Sequence, residues 1–415
     1  MGYIQQKTST ILKNTPFFIA QRIGKENKNG FSVLITRIAI ASIAIGIAVM
    51  DMSFFIYKGF KGEIQEKIFS FAAHVQVVKY NTSNAYEGIP ITTKRKLFQQ
   101  KNANIAHIQR FALKPALLKT DIEVMGTLLK GVSTDYDTVG FQKNIIQGRF
   151  IRFADSAYSK EILISRFVAD KLQLRLHDQL LVYFIQEPPR FRKLNIVGIY
   201  ETGMEDFDQK IILGDLRLIQ RLNNWQSEQV GGFEIFVPNF DQLDPHFEAI
   251  YENLDYDLQA SKVSDQYAHF FDWFLMLNQN VLIFLGIILF VACFNTSSIL
   301  LILVMERTYM IGILKALGAN NAFIRQIFVW NGFRIMFKGL LIGNLLAFGL
   351  AFVQKYFQLV PLNPEHYYMR AVPIWWDWQA VLASNLLLIL VISVFLWLPT
   401  LIISQFRPIQ SIRFD

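Results

Sequence analysis

The densest signal for chemistry in the chain is the run ERTYMIGILKALGANNAFIRQIF, residues 306–328. Its residue types suit recognition rather than covalent chemistry. Ile311, Ile313, Leu314 and Leu317 recur at helical spacing and give one apolar face, while Arg307, Lys315 and Arg325 supply positive charge. Gly318-Ala319-Asn320 reads as a helix stop, because glycine and asparagine tolerate the left-handed backbone that ends helices. Two amphipathic halves therefore meet at this turn. One reading is a helical hairpin lying at a membrane interface. The other is a docking element for a soluble partner.

Catalytic signatures are missing. No G-x-x-x-x-G-K-[ST] loop is present to cradle a nucleotide phosphate, and H-E-x-x-H, G-x-S-x-G and cysteine pairs are absent too. The six histidines are scattered, and His74, His177 and His246 are expected as surface or strand residues. The single cysteine, Cys293, lies in an apolar run, which excludes a disulfide framework and a cysteine zinc site. Two polar positions inside apolar runs are candidates for a cargo or cavity role. Asp51 is one, since an acid within a membrane span is costly and marks function by default. It lies near the outer end of its run, where the plainer reading is contact with headgroups. Asn295 is the other; it leads a polar group with Thr296, Ser297 and Ser298, whose plain role is hydrogen bonding between helices.

The elements that must position these residues come from hydropathy. The chain has 415 residues, is 52% hydrophobic and carries a formal net charge of +8. Apolar runs at 33–57, 273–305, 329–354 and 378–404 are long enough for the roughly 20 residues that a membrane span needs. They are spaced as one, a long gap, then three. The first reads as an uncleaved signal anchor behind the 1–32 segment. Arg334 and Lys338 fall inside the first end of the third run, where long basic side chains snorkel to the interface. Lys7, Lys13, Arg22, Lys25 and Lys28 near the start, Arg307, Lys315 and Arg325 in 306–328, and Arg407 and Arg413 in 405–415 place these three segments in the cytoplasm. The 58–272 domain and the 355–377 loop then face outside. Trp375, Trp376 and Trp378 fit an interfacial aromatic belt. The positive charge is a topology signal, and no basic–aromatic interleaving points to nucleic acid.

The fold class expected is a membrane protein with four helices (1+3) and a mixed α+β domain inserted after the first. Residues 58–71 read as the first helix continuing, with Phe60, Ile64, Ile68 and Phe71 at helical spacing. Strands are expected at 74–80, 105–119, 122–132, 179–186, 193–200, 232–237 and 256–262, and helices at 93–102, 155–175, 211–223 and 240–254. Ser156 or Ser159 would cap the helix at 155–175, and EPPRFR (187–192) would join two strands as a hairpin.

ERTYMIGILKALGA resembles the cytoplasmic motif R-x-x-E-I-G-x-x-[RK]-A-x-G-A of FtsX-like ABC permeases. Arg307, Ile311, Gly312, Lys315, Ala316, Gly318 and Ala319 match it, and Met310 stands where the family has its acidic residue. The first run with KGFKGEIQEKI (58–68), and the closing QFRPIQSIRFD (405–415), are similar to lipoprotein-releasing permeases of the LolC/LolE type. The resemblance implies a permease subunit that extracts lipoproteins from the inner membrane and passes them to a periplasmic carrier. It implies a dimer with a second copy or a paralogue, and a separate LolD-like ATPase. The chain itself would use no cofactor, ATP being consumed by that partner. Membrane lipids would surround the helices, and 58–272 would be periplasmic. Arg307, Ile311, Gly312, Leu314, Lys315, Gly318, Ala319 and Arg325 would couple to the ATPase.

Carrier-recruiting relatives have a long hook where this chain has only YFIQEPPRFRK (183–193), so Pro188, Pro189, Arg190 and Arg192 are either a short carrier contact or a plain turn. A MacB-like efflux or mechanotransmission permease, an FtsX-type regulator of cell division and a membrane receptor for a periplasmic ligand remain as alternatives.

Overall fold

The computed structural model describes residue 18 and residues 31–81, 88–95, 103–120, 123–154 and 157–397. The expected helix at 93–102 falls mostly outside them, as do the basic residues of the 1–30 and 405–415 segments. The chain divides into two compact units. A helical unit comprises the chain up to Lys61, Leu275–Pro361 and the chain from Ala371; a β-rich unit comprises Gly62–Phe274 and Leu362–Arg370.

Helices are α1 (Phe31–Phe69), α2 (Thr138–Gln142), α3 (Arg166–Leu172), α4 (Glu205–Asp208), α5 (Leu216–Leu222), α6 (Leu243–Tyr251), α7 (Val263–Gln266), α8 (Ala268–Glu306), α9 (Thr308–Ala316), α10 (Asn321–Phe357), α11 (Pro364–Tyr367) and α12 (Trp378–Phe395). Strands are β1 (Val75–Lys79), β2 (Ile91–Thr92), β3 (His107–Lys119), β4 (Val124–Val132), β5 (Ile145–Gly148), β6 (Glu161–Ser165), β7 (Gln179–Phe184), β8 (Arg190–Tyr200), β9 (Ile211–Asp215), β10 (Gln229–Val230), β11 (Gly232–Phe236) and β12 (Leu258–Lys262). Among the described residues, four helices, α1, α8, α10 and α12, are long and apolar enough to cross a membrane.

In the helical unit, Ala39, Ile43 and Ile47 of α1 pack with Ala292, Ile299 and Leu300 of α8, Ile324 and Ile335 of α10, and Leu388 and Ile392 of α12. Gly339 and Gly343 bring α10 against α1. A Cβ at Gly339 would stand 2.7 Å from Ile43 Cβ, and one at Gly343 2.7 Å from the Ala44 carbonyl oxygen. Small residues four apart allow this backbone approach between apolar helices. Trp376 stacks on Phe348 and meets Phe55 edge-on, whereas Trp375 and Trp378 are exposed.

The β-rich unit is organised around β3. The first part of this strand pairs with β11, from His107–Phe236 to Phe111–Gly232, continuing a sheet through β1 to β12. Its last part pairs with β7, from Ala116–Phe184 to Lys119–Leu181. Pro115, which has no N–H to donate, falls in the gap between the two partners. The other edge of β3 pairs with β4, and the path β3-β4-β9-β6-β8-β7-β3 closes a barrel. Ala116, Leu118, Leu129, Ile162, Ile164, Leu180, Val182, Leu194, Ile196 and Ile212 form its core.

Two expected helices turn out to be strand–helix pairs. Within 155–175, Glu161–Ser165 is strand β6, and Ser165 caps α3 by accepting from Val168 N at 3.1 Å. The cap is therefore neither Ser159, whose N–H goes to Asp215, nor Ser156, which lies outside the described residues. Within 211–223, Ile211–Asp215 is strand β9, and Asp215 caps α5 by accepting from Arg217 N at 2.9 Å. Both strands are buried on both faces, so their apolar residues run on without the alternation that marks a half-exposed strand. His74 also differs from a plain surface residue. It sits among the rings of Phe69, Phe236 and Phe240, its Nδ1 accepts from Val237 N, and burial pushes its pKa down to about 4. His177 is exposed, and His246 is half-buried against Asn104.

Candidate functional site

The 306–328 run folds as α9, a tight turn and the start of α10. Arg307 breaks the helix from α8 with φ −104° and ψ 21°, and the nine residues Thr308–Ala316 follow. Gly318 has φ +90°, a conformation that glycine adopts without strain. Its N–H donates to the Lys315 carbonyl at 3.0 Å, and Ala319 N–H donates to the Leu314 carbonyl at 2.9 Å. These bonds satisfy the last carbonyls of α9. Asn320 then starts α10 by accepting from Phe323 N at 2.8 Å. Every residue of the turn thus has a fixed task.

The apolar face anticipated for this run is split in two. Ile311 and Gly312 are buried against the helical core that contains Ile324 and Phe328. Full burial of one such isoleucine contributes about 2 kcal/mol. Met310, Leu314 and Ala319 are partly covered by the same core. Ile313 and Leu317 instead point out, and with Met305 and Tyr309 they form a row at every fourth residue. Their exposures are 62% (Met305), 63% (Tyr309), 40% (Ile313) and 79% (Leu317). A helix buried on one face and apolar on the other is suited to insertion into an apolar groove of a partner. Arg307, Lys315 and Arg325 are half-buried, and Arg325 Nε has no hydrogen-bond partner. Of the candidate coupling residues, Ile311, Gly312 and Gly318 therefore form the support. Ile313 and Leu317 belong to the apolar face read from the sequence; Met305 and Tyr309 extend their exposed row, and the four-residue spacing from Met305 to Leu317 is the signal for it.

Asp51 and Asn295 are not brought together. Asp51 is fully buried, which overturns the headgroup-facing reading. Its Oδ1 accepts from Ser384 Oγ of α12 at 3.1 Å, and Oδ2 has no partner. At the next position of α12, Asn385 exchanges side-chain hydrogen bonds with Asn344 of α10 at 3.2 and 3.0 Å. Asn295 is half-buried on α8, and its neighbour Thr296 donates to the Ala292 carbonyl.

The hairpin between β7 and β8 is tighter than expected, because β8 already begins at Arg190. Arg190 donates to the Leu222 carbonyl at 2.9 Å and the Arg221 carbonyl at 3.3 Å, at the end of α5. Arg192 donates to the Phe191 carbonyl at 2.7 Å. Pro188 and Pro189 are exposed, as are Ile185 and Phe191 on either side. The two prolines form an open apolar tip, and Arg190 ties its base to the end of α5.

Comparison with known proteins fits this geometry. The FtsX-like permease C-terminal family matches residues 282–408, which contain α9, its turn and α10. The MacB-like periplasmic core domain matches residues 36–242. The chain is an FtsX-like permease with a MacB-like core domain. Among the permease's relatives, the lipoprotein-releasing system transmembrane protein LolE of Haemophilus influenzae is 26% identical over 414 residues, covering 92% of this chain and 96% of its own length. The LolC protein of the same system in Neisseria meningitidis serogroup B is 23% identical over 376 residues, covering 84% and 86%. The permease is accordingly a component of an ABC transporter, an inner-membrane protein whose β-rich domain is periplasmic.

Proposed function

We propose that this permease extracts lipoproteins from the inner membrane and passes them to a periplasmic carrier, driven mechanically by a separate ATPase. End-to-end similarity to lipoprotein-releasing LolE carries the reading. The exposed row Met305, Tyr309, Ile313 and Leu317 supports it, since a permease without a nucleotide loop needs a surface on which ATP-driven motion can act. ATP is bound and hydrolysed by that partner, and both chain termini and α9 face the cytoplasm. A second permease copy or a paralogue completes the dimer. The carrier meets the tip formed by Pro188, Pro189 and Phe191. Asn295 on α8 belongs to the proposed cargo surface; Asp51, enclosed between α1 and α12, does not.

Release of an acyl chain from a bilayer costs about 0.8 kcal/mol for each CH₂ withdrawn, so a chain of ordinary length leaves only with an external energy source. The test is purification of the tagged permease with its bound proteins, followed by reconstitution in vesicles loaded with a triacylated lipoprotein. ATP-dependent transfer of the lipoprotein to a soluble carrier is the expected result. Co-purification with an ATPase and an efflux adaptor, without lipoprotein transfer, would assign the chain to efflux instead.

A further inference from the structure

The β-rich unit contains a fully buried ion pair at the point where the end of α1 meets the sheet. Lys130 of β4 and Glu234 of β11 have side chains only 4% exposed, and Lys130 Nζ lies 2.7 Å from Glu234 Oε1. Lys130 Nζ also donates to the Phe71 carbonyl at 2.8 Å. That carbonyl lies just beyond the last turn of α1, where the helix dipole favours a cation. The other carboxylate oxygen of Glu234 accepts from Gln109 Nε2 of β3 at 2.7 Å, and Gln109 Oε1 accepts from Asp137 N at 3.0 Å. The ammonium lies 5.0 Å from the Phe71 ring centroid and 5.7 Å from that of Tyr136. Phe71 stacks on Phe207 at 4.6 Å, and Phe207 meets Tyr267, next to the start of α8, at 5.4 Å. A cavity of about 80 Å³ separates Phe71, Ala72 and Ala73 from Gln266 and Tyr267, with Lys130 and Glu234 also in its lining.

Stability alone does not call for this arrangement. A buried ion pair is usually matched or exceeded in stability by apolar residues of the same size, because the desolvation of two charges offsets their attraction. What apolar packing does not supply is direction. Short hydrogen bonds resist shear and rotation, whereas apolar contacts slide. We propose that Lys130 is a positioning residue for lipoprotein release: it is the joint through which displacement of the end of α1 passes to β11 and β3. This rests on the mechanical reading of the permease given above. Glu234 and Gln109 carry the displacement onward, and the ring stack from Tyr267 brings the start of α8 to the same cation.

The paired substitution Lys130→Met with Glu234→Leu tests it in the full permease, reconstituted with its ATPase. The variant leaves Gln109 Nε2 and the Phe71 carbonyl without these partners, so it is expected to melt about 10 °C below the parent and to leave ATP hydrolysis intact, while lipoprotein transfer falls about tenfold. Glu234→Gln, which keeps an acceptor for Lys130 and the bond to Phe71, is expected to retain transfer. A second readout needs no cargo. Amide exchange in β4 and β11 should respond to nucleotide together with residues 66–73 in the parent, and the response should stop at residue 73 in the paired variant. Full transfer by a stable paired variant, or an undiminished response of its β4 and β11, overturns the joint. If the paired variant does not fold, exchange in the parent decides, and a response confined to residues 66–73 refutes the proposal. Failure of the lipoprotein reading is seen separately, as absence of transfer by the parent itself.

Discussion

The two hairpins assigned to partner contact, 306–328 in the helical unit and the β7–β8 turn in the β-rich unit, use their side chains in opposite ways. In the first, buried Ile311 and Gly312 hold a short helix whose other face leaves Met305, Tyr309, Ile313 and Leu317 open. In the second, Arg190 and Arg192 are committed to backbone carbonyls, and only the tip is open. Under the proposed function, the difference separates a surface that receives force from one that keeps its shape. The first is a broad apolar row on a supported helix; the second is a rigid point. Residue types alone do not distinguish them, since both sequences combine arginines with apolar neighbours.

The contrast is most easily broken at the exposed row. Ile313→Asp with Leu317→Asp should weaken association with the ATPase about 100-fold, as loss of two central apolar anchors does, while the melting temperature of the permease stays unchanged. Unaltered affinity in a titration of ATPase against the nanodisc-embedded chain would remove the docking assignment. Gly318→Val forces a β-branched residue to φ +90° and should cost about 2 kcal/mol, read as roughly a thirtyfold loss of ATPase-coupled transfer with the β-rich domain intact. Combined replacement of Pro188, Pro189 and Phe191 by serine should reduce capture of the carrier several-fold, about 1 kcal/mol, measured by cross-linking yield. Normal capture would make the tip a plain turn. Arg190→Ala sharpens the comparison with the smallest effect: about 1 kcal/mol of domain stability from the lost hydrogen bonds, seen in thermal unfolding, with carrier capture retained. Lost capture at full stability would turn the arginine into a contact residue.

Hydropathy made the helical architecture legible, because membrane solvation requires long apolar runs and little else imitates them. The turn at Gly318 was equally readable, since its φ of +90° nearly dictates the residue. Direction was harder to read. Ile311 and Ile313 are the same residue type two positions apart, and only the packing of α10 reveals which one points inward. In the β-rich domain, Ile162–Ile164 and Ile212–Leu213 read as helix because a strand covered on both sides loses its alternation. Lys130 and Glu234 gave no local signal at all. They are about 100 residues apart in sequence and meet only because β3 lies between β4 and β11.

The sharing of β3 between the open sheet and the barrel also bears on how the domain is made. β1 cannot complete its ladder until β11 and β12 have been synthesised, roughly 180 residues later. The barrel likewise closes only when β7 reaches the far end of β3. Until then, β1 has neither of its strand partners and β3 is paired only along the edge it shares with β4. A nascent chain emerging outside the membrane therefore passes through an interval in which its strand edges are open to proteases and to other unfinished chains. Production of the protein would be limited by the length of that interval, and overexpression would lose material there before it lost material to instability of the finished fold.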